Sequence, residues 1–315
     1  MKILCLTPVQ HISGLIEKLR SFGELLYLPD PSKQEAIDCI RNAMPDVLFV
    51  NPNKMKYRLD CDVLCDCVGV VCTASTGTDH IDLGFCESSG ITVISITRDY
   101  QMLSRVTATA ELAFGLMLSL LRKLPSALGS AKRGVWDCEE FIGRQLSSLV
   151  VGVVGYGRLG AMFARYCSAF GSKVMYFDPY VQDSSCQYIK VHSLERLFEY
   201  CDVVSLHVHL GDETRGMVDA KLFDSMDKSG VFLVNTSRGG VVNEHDVVCA
   251  LESGVLGGYA ADVVCGEYDS PCNSELVVRS NDLNIFVTPH IGGVTKESQE
   301  IAYHYVADKL GNKVL

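Results

Sequence analysis

Apolar residues recur along the first hundred positions in short runs separated by stretches with helical spacing. The runs KILCLTP (2–8), LLYLP (25–29), VLFVNP (47–52), VVCTAS (70–75) and ITVISI (91–96) predict strands. Gly14–Phe22 and Lys33–Ala43 predict helices between them. Strands that alternate with helices imply a parallel α/β layer. Thr107–Arg122 then predicts a helix that is apolar almost all round, with Leu112, Phe114, Leu116, Met117, Leu118, Leu120 and Leu121 spread over its faces. Such a helix needs cover on every side, from a second domain or a second subunit.

A second α/β series opens with the unbroken apolar run LVVGVV (149–154), suited to a strand covered on both faces. KVMYFD (173–178), DVVSLHV (202–208), VFLVNTS (231–237), YAADV (259–263) and IFVTP (285–289) continue it, with helices at Leu194–Tyr200, Lys221–Met226 and Glu244–Ser253. Asn243 caps the last of these and Gly254 closes it. The tail, Lys296–Leu310, carries Ile301, Ala302, Tyr305, Val306 and Leu310 on one face, with Thr295 as N-cap and Gly311 as its stop.

At 315 residues the chain is long enough for two domains with sizeable cores. Its formal charge of −10 and the absence of a basic tail argue against nucleic-acid and anionic-membrane partners. The start, MKILCLTP, has too short an apolar run for a secretory leader, and the window Leu112–Leu121 is half of a bilayer span, so a soluble, cytoplasmic protein is expected. The 14 cysteines are scattered and read as thiols. Cys61, Cys65 and Cys67 form the one cluster, without the CxxC or paired histidines of a zinc site, and no metal is expected.

Gly155-Tyr156-Gly157-Arg158-Leu159-Gly160 is a GxGxxG placed directly after a buried strand and opening a helix stopped by Gly171. Gly155 suits the tight turn, Gly157 the close approach of a pyrophosphate, and Gly160 the packing of helix on strand. The helix N-terminus adds free N–H groups and its dipole. The next strand ends at Asp178, 18 residues after Gly160, where a carboxylate would hold the adenine ribose hydroxyls. No basic residue beside it is placed to hold a 2′-phosphate, so NAD is favoured over NADP. The other carboxyl strand ends supply Arg238, Asp262, Glu267 and His290. Reduction of a 2-oxo acid needs such a set: a guanidinium for the carboxylate and carbonyl, and an imidazole to protonate the oxygen. A glutamate beside the imidazole would orient it and favour its protonated form. Singly, Arg238 also reads as a loop charge and His290 as a turn histidine; behind a dinucleotide fingerprint they read as one site.

Taken together, VVGVVGYGRLG (150–160), YFDP (176–179), SLHVHL (205–210), FLVNTSRGGVVNE (232–244), AADVVCGE (260–267) and VTPHIGG (287–293) resemble the D-isomer-specific 2-hydroxyacid dehydrogenases. STGTDHIDL (75–83) and TATAELAFGLMLSLLRKLP (107–125) look like that family's substrate loop and long helix. The resemblance implies Arg238, Glu267 and His290 as the catalytic three. It implies a cofactor set of Gly155, Gly157, Arg158, Leu159, Gly160, Asp178, His207, Thr236 and Asp262, the last near the nicotinamide carboxamide. Backbone N–H groups around Thr76 and Gly77 would meet the substrate carboxylate, joined there by Arg238.

The fold so implied is a Rossmann NAD-binding domain (100–290) inserted in a discontinuous, flavodoxin-like substrate domain (1–99 and 291–315). Its active site would lie between the domains, and a homodimer would form through the 107–122 helix. Several positions depart from the pattern: His209, Cys265 and Tyr268, and the pair Arg98-Asp99. A corepressor-like, NAD-binding interaction module is the alternative from another functional class. Formate dehydrogenase is disfavoured because that group places Gln where Glu267 stands. The cations Lys54, Lys56 and Arg58, with Arg98 and Arg105, read either as a second anion site for a dianionic substrate or as a solvated surface run.

Overall fold

The computed structural model describes residues 1–52, 57–182, 187–267 and 273–314, and its strands build two all-parallel sheets in two units. Unit 1 comprises Met1–Val106 and Gly293–Leu315, and unit 2 comprises Thr107–Gly292.

Unit 1 contains β1 (Lys2–Cys5), α1 (Leu15–Ser21), β2 (Glu24–Tyr27), α2 (Lys33–Ala43), β3 (Val47–Val50), β4 (Val70–Thr73), α3 (Leu83–Ser88), β5 (Thr92–Ile94), α4 (Tyr100–Leu103) and the C-terminal α12 (Lys296–Val314). The strand order is β2-β1-β3-β4-β5, the flavodoxin-like arrangement. Because side chains alternate across a strand, Ile3, Cys5, Val47 and Phe49 pack to one side with α1 and α12, and Leu4, Leu6, Leu48 and Val50 to the other with α2. That two-sided burial explains why these strands read as continuous apolar runs. Ser32 and Glu35 start α2 with a reciprocal capping box. Gly311 lies inside α12 and does not end it: a side chain there would sit 2.9 Å from the Phe22 ring, so the glycine serves close packing.

Unit 2 contains α5 (Ala108–Leu121), α6 (Leu124–Lys132), β6 (Val150–Val154), α7 (Arg158–Ala169), β7 (Lys173–Phe177), β8 (Ile189–Lys190), α8 (Leu194–Tyr200), β9 (Val203–Leu206), α9 (Ala220–Asp224), β10 (Val231–Asn235), α10 (Glu244–Glu252), β11 (Leu256–Ala261), α11 (Glu275–Arg279) and β12 (Ile285–Val287). The order β12-β11-β10-β9-β6-β7-β8 reverses direction at β6, next to β9, as in the doubly wound dinucleotide fold. Val151, Val153, Val203 and Val234 face α5 and α7, whereas Val204, Leu206 and Leu233 face α8 and α10.

Much of the apolar surface of α5 is covered within unit 2. Ala113, Leu116, Met117, Leu120 and Leu121 are buried in the core shared with β6 and α7, and Leu112, Phe114 and Leu118 pack against the same core. Phe114 meets Phe170 edge-on at 4.9 Å. By length and composition Tyr100–Leu121 is long and apolar enough to cross a membrane, and within it α5 buries Ala113, Leu116, Met117, Leu120 and Leu121 in the core of unit 2. A run of exposed apolar residues follows α5, Leu124, Leu128, Val135, Trp136 and Ile142, with Trp136 94% exposed.

Candidate functional site

The turn after β6 is built by glycines with separate tasks. Gly155 has φ +85°, and a Cβ there would lie 2.6 Å from the His207 carbonyl oxygen, so the neighbouring β9 exit forbids a side chain. At Gly160 a Cβ would lie 2.0 Å from the Gly155 carbonyl oxygen, so only glycine lets α7 begin this close to the turn. Gly157 differs: it precedes α7 at φ −79°, and a Cβ would meet nothing within 4 Å. Its missing side chain keeps open the space before the helix N-terminus, where free N–H groups and the helix dipole favour a phosphate. Arg158 and Leu159 form the first turn of α7 and are half-buried.

Asp178 follows β7 and is buried, with both oxygens engaged: Oδ2 accepts the N–H of Tyr156 and Oδ1 that of Tyr180, each at 2.8 Å. It therefore braces the glycine turn as well as presenting the remaining lone pairs of its carboxylate. Lys190 lies close in the chain's path, its Nζ donating to the Val181 carbonyl oxygen at 2.7 Å. At the β9 exit the His207 Nε2 pairs with the Ser205 hydroxyl at 2.9 Å, while its buried Nδ1 finds no partner among the described residues. Burial drives this imidazole down to about 3, so it stays neutral. At the β10 exit the Thr236 hydroxyl is likewise buried and without a partner among the described residues. Orphaned polar atoms at neighbouring strand ends, beside an open glycine turn, fit a polar dinucleotide.

Beyond Thr236 the backbone is tied around Asn235, whose Oδ1 accepts the N–H (3.0 Å) and hydroxyl (2.7 Å) of Ser237 and whose Nδ2 donates to the Arg238 carbonyl oxygen at 3.0 Å. Arg238 is half-buried, with Nη1 donating to the Ser237 carbonyl oxygen at 2.7 Å. A Cβ at Gly239 would lie 2.2 Å from the Val264 carbonyl carbon, so the Arg238 turn packs directly on the segment leading to Glu267.

Asp262 at the β11 exit clamps the next strand's turn. Its Oδ1 accepts from the Thr288 hydroxyl (2.6 Å) and the Ile291 N–H (2.8 Å), and its Oδ2 from the Gly292 N–H (2.7 Å). Burial pushes its carboxyl up, against these hydrogen bonds, which favour the charged form. Held in this clamp, His290 adopts φ +53°, a left-handed conformation rarely taken by a residue with a side chain. Its N–H donates to the Asp262 carbonyl oxygen at 2.9 Å, and its Nδ1 lies 2.9 Å from Glu267 Oε1. The Glu267 side chain is only 15% exposed, which strengthens the pairing. Glu244 fixes the segment bearing Glu267: its Oε1 accepts the Cys265 N–H at 2.6 Å and its Oε2 the Ser274 hydroxyl at 2.7 Å.

The sequence pattern assigned no role to Asn235 or Glu244, and gave Asp178 and Asp262 only cofactor roles. A capping or bracing carboxylate is signalled by partners 20 to 30 residues away, which spacing alone does not reveal. Thr76 and Gly77 belong to unit 1, where the Thr76 carbonyl accepts from the Thr97 hydroxyl at 2.8 Å and the Gly77 N–H donates to the Ser75 hydroxyl at 3.1 Å. Of the unusual pair Arg98-Asp99, Asp99 accepts from Lys309 Nζ (2.8 Å) and the Tyr305 hydroxyl (3.0 Å) of α12, a structural use of that departure. Arg58 lies 4.0 Å from Asp82, and Arg98 and Arg105 are exposed. Lys54, Lys56 and Tyr268 lie outside the described residues. No group of three or more His, Cys, Asp or Glu among the described residues is arranged to hold a metal ion.

Residues 114–292 match the family described as D-isomer specific 2-hydroxyacid dehydrogenase, NAD binding domain. The D-3-phosphoglycerate dehydrogenase of Methanocaldococcus jannaschii is 32% identical over 318 residues, which cover all of this chain and 57% of that protein. The chain thus spans little more than half the length of this relative. The glycerate dehydrogenase of Methylorubrum extorquens is 32% identical over 268 residues, 83% of this chain and 80% of that one. Among solved structures, a D-lactate dehydrogenase from Aquifex aeolicus, complexed with NAD and lactic acid, is 26% identical, superposes with a TM-score of 0.81, and matches 99% of this chain and 95% of its own.

Proposed function

The chain belongs to the D-isomer-specific 2-hydroxyacid dehydrogenases, and from that premise we propose that it interconverts a D-2-hydroxy acid and its 2-oxo acid, using NAD held by unit 2. The observation that carries the reading is the Glu267–His290 pair at 2.9 Å on the same sheet edge as the open Gly157 turn.

Bound NAD supplies the hydride-donating or hydride-accepting carbon. In this reading the Arg238 guanidinium binds the substrate carboxylate in a planar fork and polarises the 2-oxo group. His290, with Nδ1 on Glu267, gives the proton from Nε2 to the substrate oxygen and takes it back in the reverse direction. Asp262 is a positioning residue that fixes the His290 turn, and Thr236 and His207 contact the cofactor. The loop at Thr76 and Gly77 in unit 1 keeps its expected role toward the substrate, with the Gly77 N–H held by the Ser75 hydroxyl in this structure. A cytoplasmic location belongs to the same proposal. So does a homodimer through the 107–122 helix, where Leu112, Phe114 and Leu118 are only partly buried, continued by the exposed apolar side chains of 124–142.

The test is NADH oxidation with a panel of 2-oxo acids running from glyoxylate and pyruvate to dianionic and phosphorylated members. Turnover of at least one member is expected, with the larger kcat/KM for those bearing a second anionic group. NADH binding with no turnover of any member would overturn the proposal in favour of a binding module.

A further inference from the structure

We propose that Cys65 and Cys67 form a reversible dithiol–disulfide site, closed by exchange with a low-molecular-weight disulfide. The site lies in unit 1 between β3 and β4 and does not depend on the dehydrogenase reading. The segment is anchored at both ends. Leu59 pairs with Ile81 in an isolated parallel bridge, and Val63, Leu64 and Val68 are buried in the core under the sheet. The Val68 N–H donates to the Cys65 carbonyl oxygen at 3.0 Å, so Cys65, Asp66, Cys67 and Val68 form one hydrogen-bonded turn. Within it the two sulfurs lie 2.9 Å apart. A disulfide holds its sulfurs at about 2.05 Å, so closure asks for a movement under about 1 Å. The turn has already lost most of the conformational freedom that ring closure would cost.

Access separates this pair from the core cysteines, and the 2.9 Å approach of the two sulfurs separates it from the exposed ones. Both thiols are only partly buried, whereas Cys5, Cys72, Cys86, Cys167 and Cys201 are buried. Burial pushes the Cys5 and Cys72 thiols up to about 12, which leaves them inert. Burial and the adjacent Cys65 sulfur push the Cys67 thiol up to about 11.

The chemistry balances in two exchanges. The Cys65 sulfur, losing its proton to solvent, attacks RS–SR; a mixed disulfide forms and one RS⁻ leaves, taking up a proton as RSH. The Cys67 sulfur then loses its proton and attacks the Cys65 sulfur of that mixed disulfide. The Cys65–Cys67 bond forms and the second RSH leaves. The protein has lost two electrons and two protons, and the small disulfide has gained them.

Incubation of the whole chain with oxidised glutathione, followed by alkylation, digestion and peptide mass mapping, tests this. The peptide holding both cysteines is expected to lose two hydrogens and resist alkylation, and to regain both thiols in dithiothreitol. Cys61→Ser should leave that result unchanged, while Cys65→Ser should abolish the internal bond and leave Cys67 either free or glutathionylated. A bond from Cys61 to either partner, stable glutathione adducts on both cysteines of the unsubstituted chain, or full alkylation of both would each overturn the proposal.

Discussion

In the proposed mechanism Glu267 and His290 act together only if the backbone carrying Glu267 is held still, and Glu244 is a side chain that braces it. One carboxylate accepts from Cys265, two residues before Glu267, and from Ser274 beyond it. As a positioning residue Glu244 should be felt through Glu267. Glu267→Gln keeps the shape and removes the anion, and is expected to lower kcat for 2-oxo acid reduction by about 100-fold, the scale of lost acid–base assistance. Glu244→Ala should lower kcat by about 10-fold or more with the Kd for NADH unchanged, and Glu244→Gln should restore most of it, since an amide oxygen still accepts. In the double variant the losses should fall short of multiplying, because both act on one pair. Multiplying losses, or a Glu244→Ala enzyme that loses NADH affinity instead, would assign Glu244 a general structural role. His207 sets a pH dependence of stability. Its folded-state value is depressed to about 3 while the unfolded chain titrates near 6.5, so acid protonates the unfolded state first. The stability it contributes is complete above pH ~6.5 and is lost as pH falls toward about 3, by roughly 2 kcal/mol at pH 5. Urea unfolding at pH 7 and pH 5 should show this loss, and His207→Gln should diminish it.

The glycine turn is one element whose three glycines separate stability from binding. Gly160→Ala drives a Cβ to 2.0 Å from the Gly155 carbonyl oxygen and is expected to destabilise the fold by about 2 kcal/mol or more. Gly157→Ala meets nothing within 4 Å and has an ordinary φ, so thermal unfolding should shift little, while the Kd for NADH rises at least ~10-fold as the Cβ fills the phosphate approach. Equal Tm losses in the two variants would refute this division. Asp178 belongs to the same element: its carboxylate should make NADPH bind at least ~10-fold more weakly than NADH, and Asp178→Asn should narrow that gap while loosening the turn it braces at Tyr156. Much of this architecture was legible beforehand. Strands buried on both faces write themselves as apolar runs, and the helix Leu194–Tyr200 and the Asn243 cap were readable to the residue. What escaped was set by tertiary contact. The two-residue β8 is too short for any period to register, α5 looked uncovered because its cover comes from distant strands, and Gly311 read as a stop because nothing local announces Phe22 beneath it. The clamps at Asp262 and Glu244 are of the same kind, being carboxylates defined by N–H groups far along the chain.

For the whole molecule, one run of exposed apolar side chains among the described residues follows directly after α5. Leu124, Leu128, Val135, Trp136 and Ile142 are exposed within 19 positions, an arrangement that costs free energy in water unless something covers it. Under the proposed homodimer a second copy of the chain would cover this run, and large aromatic side chains carry most of the binding energy at such interfaces. Trp136, at 94% exposure, is the anchor to remove. The unsubstituted chain is expected to sediment with twice the chain mass at micromolar concentration. Trp136→Arg should weaken association by about 30-fold or more, corresponding to the loss of one hot-spot residue of about 2 kcal/mol. Because Trp136 is remote in sequence from the glycine turn and the strand exits, its loss should leave the Kd for NADH unchanged at protein concentrations where the variant is a monomer. A chain that sediments as a monomer at tens of micromolar, or a dimer indifferent to Trp136→Arg combined with Leu128→Arg, would mean that this face meets a different partner and that any pairing of chains uses another surface.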